Sequence, residues 1–150
     1  MRDTLERICD SLHLSETDYK RLIAGSFFIS ADNAHAVHPN HPEKADPTNR
    51  PLLNGGIVIK HHGGQKYTTD AWSEAYFVDV CREADVPVQH YHNRSDILGG
   101  STLGNLSTAQ IPAKTVDIGL PQLAMHSAYE TAGTKDTWYL VEALKEFYKA

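Results

Sequence analysis

The sequence is poor in several features that would indicate particular classes of protein. It has two cysteines in 150 residues, Cys9 and Cys81. They are too few for a disulfide framework, so we expect reduced thiols and a cytoplasmic protein. No apolar run reaches the length of about 18 residues that a membrane-spanning helix needs. The start Met1-Arg2-Asp3 shows no apolar signal segment, and we expect no membrane partner.

Basic residues are also in deficit. Lys and Arg total 14 against 19 Asp and Glu, which gives a formal net charge of -5. Because no basic stripe is available to neutralise phosphates, we expect no nucleic-acid partner. The chain has the length of one domain, covering residues 1–150. Histidine, in contrast, is abundant with nine copies, which raises the question of a metal site.

Helical and strand patterns alternate along the chain. Apolar spacing predicts two helices between Thr4 and Ile23, the second beginning at Ser15 with Asp18 in a capping box and ending at Gly25. Two more helices are predicted, with Asp70 and Asp136 as their caps. Strands are predicted at 26–31, 57–60, 87–91 and 115–118, and a glycine-rich turn at 99–104. This alternation predicts an α/β fold, a layered and largely parallel mixed sheet with helices on both faces.

A long proline-rich segment, 33–53, follows the first predicted strand. A connection of this length in a compact domain is usually functional. Asp32 lies at the end of that strand, with His35 and His38 close behind, and such oxygen and nitrogen ligands suit zinc. The alternative is that Asp32 caps a turn and both histidines are solvated. The prolines prevent a continuous helix, so we do not expect a separate metal site made of His35, His38 and His41 alone.

Two further positions are ambiguous on pattern alone. His126 follows an apolar run, where a lone histidine is more often a core or surface residue than a ligand. The turn that contains Gly100 could offer backbone N–H groups to an anion or a carbonyl. It could equally be a plain turn that needs positive φ angles.

Several motifs occur in the order found in a known family. They are Asp32-Asn-Ala-His-Ala-Val-His-Pro-Asn40, Arg50-Pro-Leu-Leu53, Val58-Ile-Lys60, Gln65-Lys-Tyr67, Arg94-Ser-Asp96, Gly100-Ser-Thr102 with Gly104, Thr115-Val-Asp-Ile-Gly119 and Leu123-Ala-Met-His-Ser127. From about Ser26 to its end, the chain resembles the aspartyl aminopeptidase family. That resemblance implies part of a two-zinc exopeptidase domain that removes N-terminal Asp or Glu from peptides.

The resemblance also implies roles for individual residues. Asp32 and His126 match metal ligands, one to each of two zinc ions. Lys60 matches a lysine that pairs with the carboxylate of the substrate side chain, and Tyr67 matches a tyrosine of the same region. In addition, His35 and Gly100 match residues near the bound substrate. Asn49 and Gly99 depart from the family, where a histidine and a cysteine are common.

The sequence lacks other parts of the family's machinery. It contains no Glu-Glu pair and no His-x-Asp triplet, which in the family supply the general base and further zinc ligands. No catalytic residue is therefore assigned, and we expect the C-terminal part of a catalytic domain, inactive and weakly zinc-binding without the missing upstream half. The alternative is a folded remnant or self-associating module without turnover. An unpaired sheet edge would favour a homo-oligomer.

Overall fold

The computed structural model describes residues 1–149, which form five helices and two sheets. The helices are α1 (Arg2–Ser11), α2 (Glu16–Ala24), α3 (Ala71–Glu83), α4 (Leu103–Gln110) and α5 (Thr134–Phe147). The strands are β1 (Phe27–Ala31), β2 (Ala34–His35), β3 (Ile57–His61), β4 (Val88–His92), β5 (Lys114–Gly119), β6 (Pro121–Leu123) and β7 (Thr131–Ala132). A 3-10 turn, Pro42–Lys44, interrupts the proline-rich loop. Within the described residues, every helix is too short or too polar to cross a membrane.

The larger sheet has four strands in the order β1-β5-β3-β4. The outer pairs, β1 with β5 and β3 with β4, are parallel, whereas the central pair of β3 and β5 is antiparallel. The smaller sheet has the order β2-β6-β7. This arrangement confirms the predicted α/β fold with a mixed, largely parallel sheet.

Helices α3 and α5 pack on one face of the larger sheet and form the core there. Alternate residues of a strand face opposite sides of a sheet, so Lys60 and Asp117 lie on the other face. Helix α4 begins on that second face, where a Cβ on Gly104 would lie 2.5 Å from the Asp117 carboxylate. Helices therefore cover both faces, as predicted. The core residues are Ile57, Ile59, Phe77, Cys81, Val86, Val116, Ile118 and Ala143.

Two of the three predicted helix caps are present in the structure, and one is not. The capping box of Ser15 and Asp18 is present at the start of α2, and Asp70 caps α3. The prediction that Asp136 caps the last helix is wrong, because α5 begins at Thr134. Asp136 is instead fully buried, and its carboxylate accepts hydrogen bonds from the backbone N–H groups of Asn54, at 2.7 Å, and Gly56, at 3.0 Å. It ties the loop before β3 to α5.

Helix α4 and the three strands of the smaller sheet were not predicted. The segment of α4 has little amphipathic pattern and includes Gly104, a weak helix former. Strands β2, β6 and β7 have two or three residues each, which is too short to show a period. Tertiary contacts, more than local propensity, determine these elements.

Candidate active-site cavity

One cavity gathers every residue that the sequence singled out. It has a volume of about 700 Å³ and lies between the proline-rich loop, the glycine-rich turn and the turn after β6. The six predicted site residues all line it, namely Asp32, His35, Lys60, Tyr67, Gly100 and His126. The structure thus brings together side chains that are up to 94 positions apart in the sequence. Their individual roles in binding stay predictions.

Asp32 is held at the carboxyl end of β1 by the neighbouring strand. Its backbone N–H donates to the Ile118 carbonyl at 3.1 Å, which continues the parallel pairing of β1 with β5. A Cβ at Gly119 would collide with the Asp32 carbonyl oxygen, so a residue without a side chain is needed there. One Asp32 carboxylate oxygen accepts the Asn33 N–H at 2.7 Å. The carboxylate therefore has a defined position at the cavity wall.

His126 lies in a turn with unusual backbone geometry. Its φ is +68°, and that of Ala124 is +53°, in the left-handed region that residues other than glycine rarely adopt. The His126 N–H donates to Glu130 Oε1 at 2.5 Å, and the Ser127 N–H donates to the Ala124 carbonyl at 3.0 Å. Such strain persists where the surroundings enforce it, often at functional sites.

His35 lies close enough to the other basic groups of the cavity to be affected by them. Burial lowers the pKa of the His35 imidazole, and the nearby His126 and Lys60 lower it further. A neutral imidazole is favoured as a result. It can accept a hydrogen bond or coordinate a cation through an unprotonated ring nitrogen.

Lys60 is almost fully buried, with 2% of its surface exposed. Its ammonium donates one long hydrogen bond of 3.4 Å to the Asn33 carbonyl and lies 5.5 Å from the centre of the Tyr67 ring. Among the described residues, no carboxylate forms an ion pair with it within 4.0 Å. Burial lowers the pKa of Lys60. The negative charges of the Asp117 and Asp32 carboxylates raise it, but by less than burial lowers it.

Two tyrosines, Tyr67 and Tyr91, line the cavity beside Lys60. Tyr91 is the partner of Lys60 in the β3–β4 register, so both side chains project from the same sheet face. The rings of Tyr67 and Tyr91 meet edge to face at 6.4 Å. Burial raises the pKa of Tyr67 to about 12 and also raises that of Tyr91. Both phenols are therefore neutral at physiological pH.

A family model described as "Aminopeptidase I zinc metalloprotease (M18)" matches residues 1–148. The chain belongs to this family. It is 50% identical over 148 residues to the "Probable M18 family aminopeptidase 2" of Clostridium novyi (strain NT), covering 99% of this chain and 34% of that protein. The chain thus spans about a third of the length of the curated relatives it matches. The family assignment confirms the resemblance to this family of zinc aminopeptidases.

Solved structures show the same fold. A chain of the Ape4 and Nbr1 complex, solved by cryo-EM, superimposes with a TM-score of 0.91 at 38% identity, covering 98% of this chain and 28% of that one. A chain of the S. cerevisiae mApe1 dodecamer superimposes with a TM-score of 0.72 at 30% identity, covering 85% of this chain and 28% of that one. The chain therefore has the fold of the corresponding part of these M18 proteins.

Asp117 is a positioning residue of this M18 chain that sequence reasoning missed. It is fully buried, and its carboxylate accepts hydrogen bonds from the Thr68 N–H at 2.7 Å, the Thr68 hydroxyl at 2.9 Å and the Thr102 hydroxyl at 2.7 Å. These bonds attach the segment after Tyr67 and the glycine-rich turn to β5. An acidic residue inside an otherwise apolar strand was the available signal, because such a charge needs buried partners.

Two amides at the cavity were also missed. Among the residues that the structure describes, the side-chain oxygens of Asn93 and Gln122 are buried without a hydrogen-bond partner, and both residues line the cavity. Gln122 is paired with His35 in the parallel register of β2 and β6, so the two side chains share one face. Buried acceptors are normally satisfied, so these oxygens are available to a ligand N–H group or a water molecule. Nothing in the sequence distinguished them from surface amides.

The donors in the cavity suit zinc but form an incomplete set. Asp32 offers a carboxylate oxygen and His126 an imidazole nitrogen, both ordinary zinc ligands. Among the residues that line the cavity in the described part of the chain, Asp32 is the sole carboxylate. Within residues 1–149, no third histidine, cysteine or carboxylate ligand joins Asp32 or His126 in a compact group. The chain can therefore contribute to a zinc centre without completing it.

Proposed function

We propose that this chain forms the substrate pocket and part of the metal centre of a zinc aminopeptidase that removes N-terminal Asp or Glu from peptides. The observation that carries the acidic preference is the buried ammonium of Lys60, 2% exposed, with one long hydrogen bond. An ammonium has three donors, so Lys60 has unused hydrogen-bonding capacity facing the cavity. A substrate carboxylate would satisfy it with a charge-assisted bond.

The surroundings of Lys60 favour an acidic side chain over a neutral one. Desolvation makes the isolated ammonium costly, as the lowered pKa of Lys60 indicates. A bound Asp or Glu side chain would supply the missing counter-charge, whereas an apolar side chain would leave the ammonium unpaired. The centre of the neutral Tyr67 ring lies 5.5 Å from the ammonium and so leaves its charge without a partner.

Asp32 and His126 would hold zinc, one residue to each of two ions. Bound zinc supplies an activated water and polarises the scissile carbonyl. The residues of this chain bind and orient the peptide. In our proposal, the oxygens of Asn93 and Gln122 accept N–H groups of the substrate, and Lys60 binds its side chain. The bridging ligand and the general base come from outside the 150 residues.

Under this proposal, the isolated chain has no aminopeptidase activity. A water nucleophile needs a proton acceptor, and the one cavity carboxylate within residues 1–149, Asp32, is assigned to the metal. In isolation the chain would therefore behave as the alternative function describes, namely as a folded module without turnover. We further propose a homo-oligomer, because a matched relative is a dodecamer. Within residues 1–149, the edge strands β1 and β4 of the larger sheet each have one side without a partner strand, and such edges tend to pair with another chain.

The test uses the complete protein that carries this segment. Release of p-nitroaniline from glutamyl, aspartyl and leucyl substrates is measured for the wild type, Asp32→Asn and His126→Asn. We expect the wild type to prefer the acidic substrates. Each variant should lower kcat/KM by more than roughly 10–100-fold, the loss typical for a residue that only supports a metal ligand. Asp79→Asn, on the exposed side of α3, is the matched control and should keep full activity. Full activity of Asp32→Asn would disprove the metal assignment.

A further inference from the structure

A second group of metal-ligand side chains lies outside the cavity. It consists of His61 at the end of β3, His90 in β4 and Glu74 in the first turn of α3. Glu74 Oε1 lies 3.3 Å from His90 Nδ1 and 3.7 Å from His61 Nε2. The two imidazole nitrogens are 3.4 Å apart. Three potential ligand atoms thus form a nearly equilateral triangle.

This triangle is on the opposite face of the sheet from the cavity. His61 follows Ile57 and Ile59 at alternate positions of β3, and both isoleucines belong to the core under α3. His90 is paired with Ile59 in the parallel register, so it shares that face. Lys60, between Ile59 and His61, projects to the cavity side. The sheet itself separates the two sites.

We propose that His61, Glu74 and His90 form a binding site for a zinc-like divalent transition metal, distinct from the centre that contains Asp32 and His126. Ligands about 2.0–2.1 Å from a tetrahedral zinc ion are about 3.3 Å from one another. The observed separations of 3.3, 3.4 and 3.7 Å match this edge length closely. An ion at that distance from all three atoms needs only small side-chain adjustments.

The surroundings favour a bound ion of this class. His92 stacks on His61, with the ring centres 4.8 Å apart and the planes 7° from parallel, and so restricts the orientation of the His61 ring. The three ligand side chains are between 18% and 42% exposed, which leaves an entry path and a fourth position for water. Two imidazoles and one carboxylate suit zinc better than magnesium or calcium, which prefer oxygen ligands.

The site would connect three elements of the fold. Strand β4 is at the edge of the larger sheet, and its pairing is with β3 alone within the described residues. A metal bound by His90, His61 and Glu74 would fasten this edge strand to β3 and to α3. Because the ion binds the folded arrangement, it should raise the stability of the chain. The expectation from sequence that the chain retains little zinc then applies only to Asp32 and His126.

The experiment removes the cavity ligands first. The 150-residue chain carrying Asp32→Asn and His126→Asn is stripped with chelator and titrated with zinc chloride, with binding followed by calorimetry and thermal unfolding. We expect one zinc ion per chain and a higher Tm, and no rise in Tm with magnesium chloride. In the same background, His61→Asn and Glu74→Gln should each weaken zinc binding by more than about 100-fold, beyond the effect of losing an outer-shell partner.

His62→Asn is the matched control, since it changes a neighbouring histidine that is not in the triangle. It should bind zinc with unchanged affinity. Circular dichroism establishes whether each variant is folded. If His61→Asn does not fold, Glu74→Gln still tests the site. The proposal is overturned if the folded background chain binds no zinc, which would indicate a hydrogen-bonded cluster only. It is also overturned if His61→Asn and Glu74→Gln bind zinc as tightly as His62→Asn.

Discussion

The Thr102 hydroxyl donates a 2.7 Å hydrogen bond to the Asp117 carboxylate in the buried layer between β5 and the glycine-rich turn. A second bond, from the Thr68 N–H at 2.7 Å, reaches the other oxygen of the same carboxylate. Two walls of the cavity are thereby fastened to one strand. The position of Gly100 and of Tyr67 depends on this carboxylate, although Asp117 itself does not line the cavity.

We predict that Asp117→Asn strongly destabilises the chain. The amide would direct an NH2 group at donors that now bond to an oxygen, and bonds to charged groups contribute about 1.5–3 kcal/mol each. The free energy of unfolding in urea should fall by about 2–4 kcal/mol. Asp79→Asn, an exposed residue paired with Arg82, should change it by less than about 0.5 kcal/mol. Equal effects of the two substitutions would contradict the anchoring role of Asp117.

For the complete protein that carries this segment, we predict that Lys60→Met removes the proposed preference for acidic substrates. Loss of a buried, hydrogen-bonded charged partner costs about 2–5 kcal/mol. At about 1.4 kcal/mol per tenfold, kcat/KM for glutamyl and aspartyl substrates should fall by roughly one to three orders of magnitude. Leucyl and alanyl substrates should change little, because their side chains do not meet the ammonium.

Lys20→Met serves as the control for this prediction. Lys20 is exposed on α2, where it pairs with Glu16, and its loss should leave all substrates unaffected. Zinc content should be the same in both variants, since neither lysine is a proposed ligand. If Lys60→Met slowed acidic and neutral substrates equally, Lys60 would be structural and the proposed acidic specificity would be wrong.

We predict no aminopeptidase activity for the 150-residue chain by itself. The cavity of the described residues provides a single carboxylate, Asp32, which leaves no separate general base. Purified chain supplied with excess zinc should release no glutamate from glutamyl peptides above the buffer rate. Zinc-dependent release that Asp32→Ala abolishes would show that the chain completes its own site.

We predict that stability falls in alkaline solution. Burial raises the pKa of the Cys81 thiol from 9.0 to about 12. Above pH 9 the unfolded chain loses this proton while the folded chain keeps it, so the free energy of unfolding decreases as pH rises. Between pH 8 and pH 10, Cys81 alone should account for a loss of about 1.4 kcal/mol.

Urea unfolding at both pH values, for wild type and Cys81→Ala, isolates this contribution. The wild type should lose more stability between pH 8 and pH 10 than the variant, by about 1.4 kcal/mol. Tyr67, whose pKa burial raises to about 12, remains in both proteins and its effect cancels. An identical pH dependence of the two proteins would show that the Cys81 thiol ionises as easily in the folded chain as in the unfolded one.

Local patterns in the sequence were sufficient for the longer elements. The capping box of Ser15 and Asp18, and the cap at Asp70, use contacts only three residues apart, so the sequence determines them directly. The strands β1 and β3 were also recognisable, because each contains a short, largely apolar run. The motifs around Asp32 and His126 identified the family for the same reason, since each is a short contiguous segment.

The tertiary structure alone decided what the polar residues do. Asp136 looked like a helix cap, yet its carboxylate bonds to backbone groups 80 and 82 residues away. The partners of Asp117, the unpaired oxygens of Asn93 and Gln122, and the triangle of His61, Glu74 and His90 also depend on the packing of distant elements. A side chain's hydrogen bonds and ligands are set by distance in space, and residues from separate strands approach only after the sheet has formed.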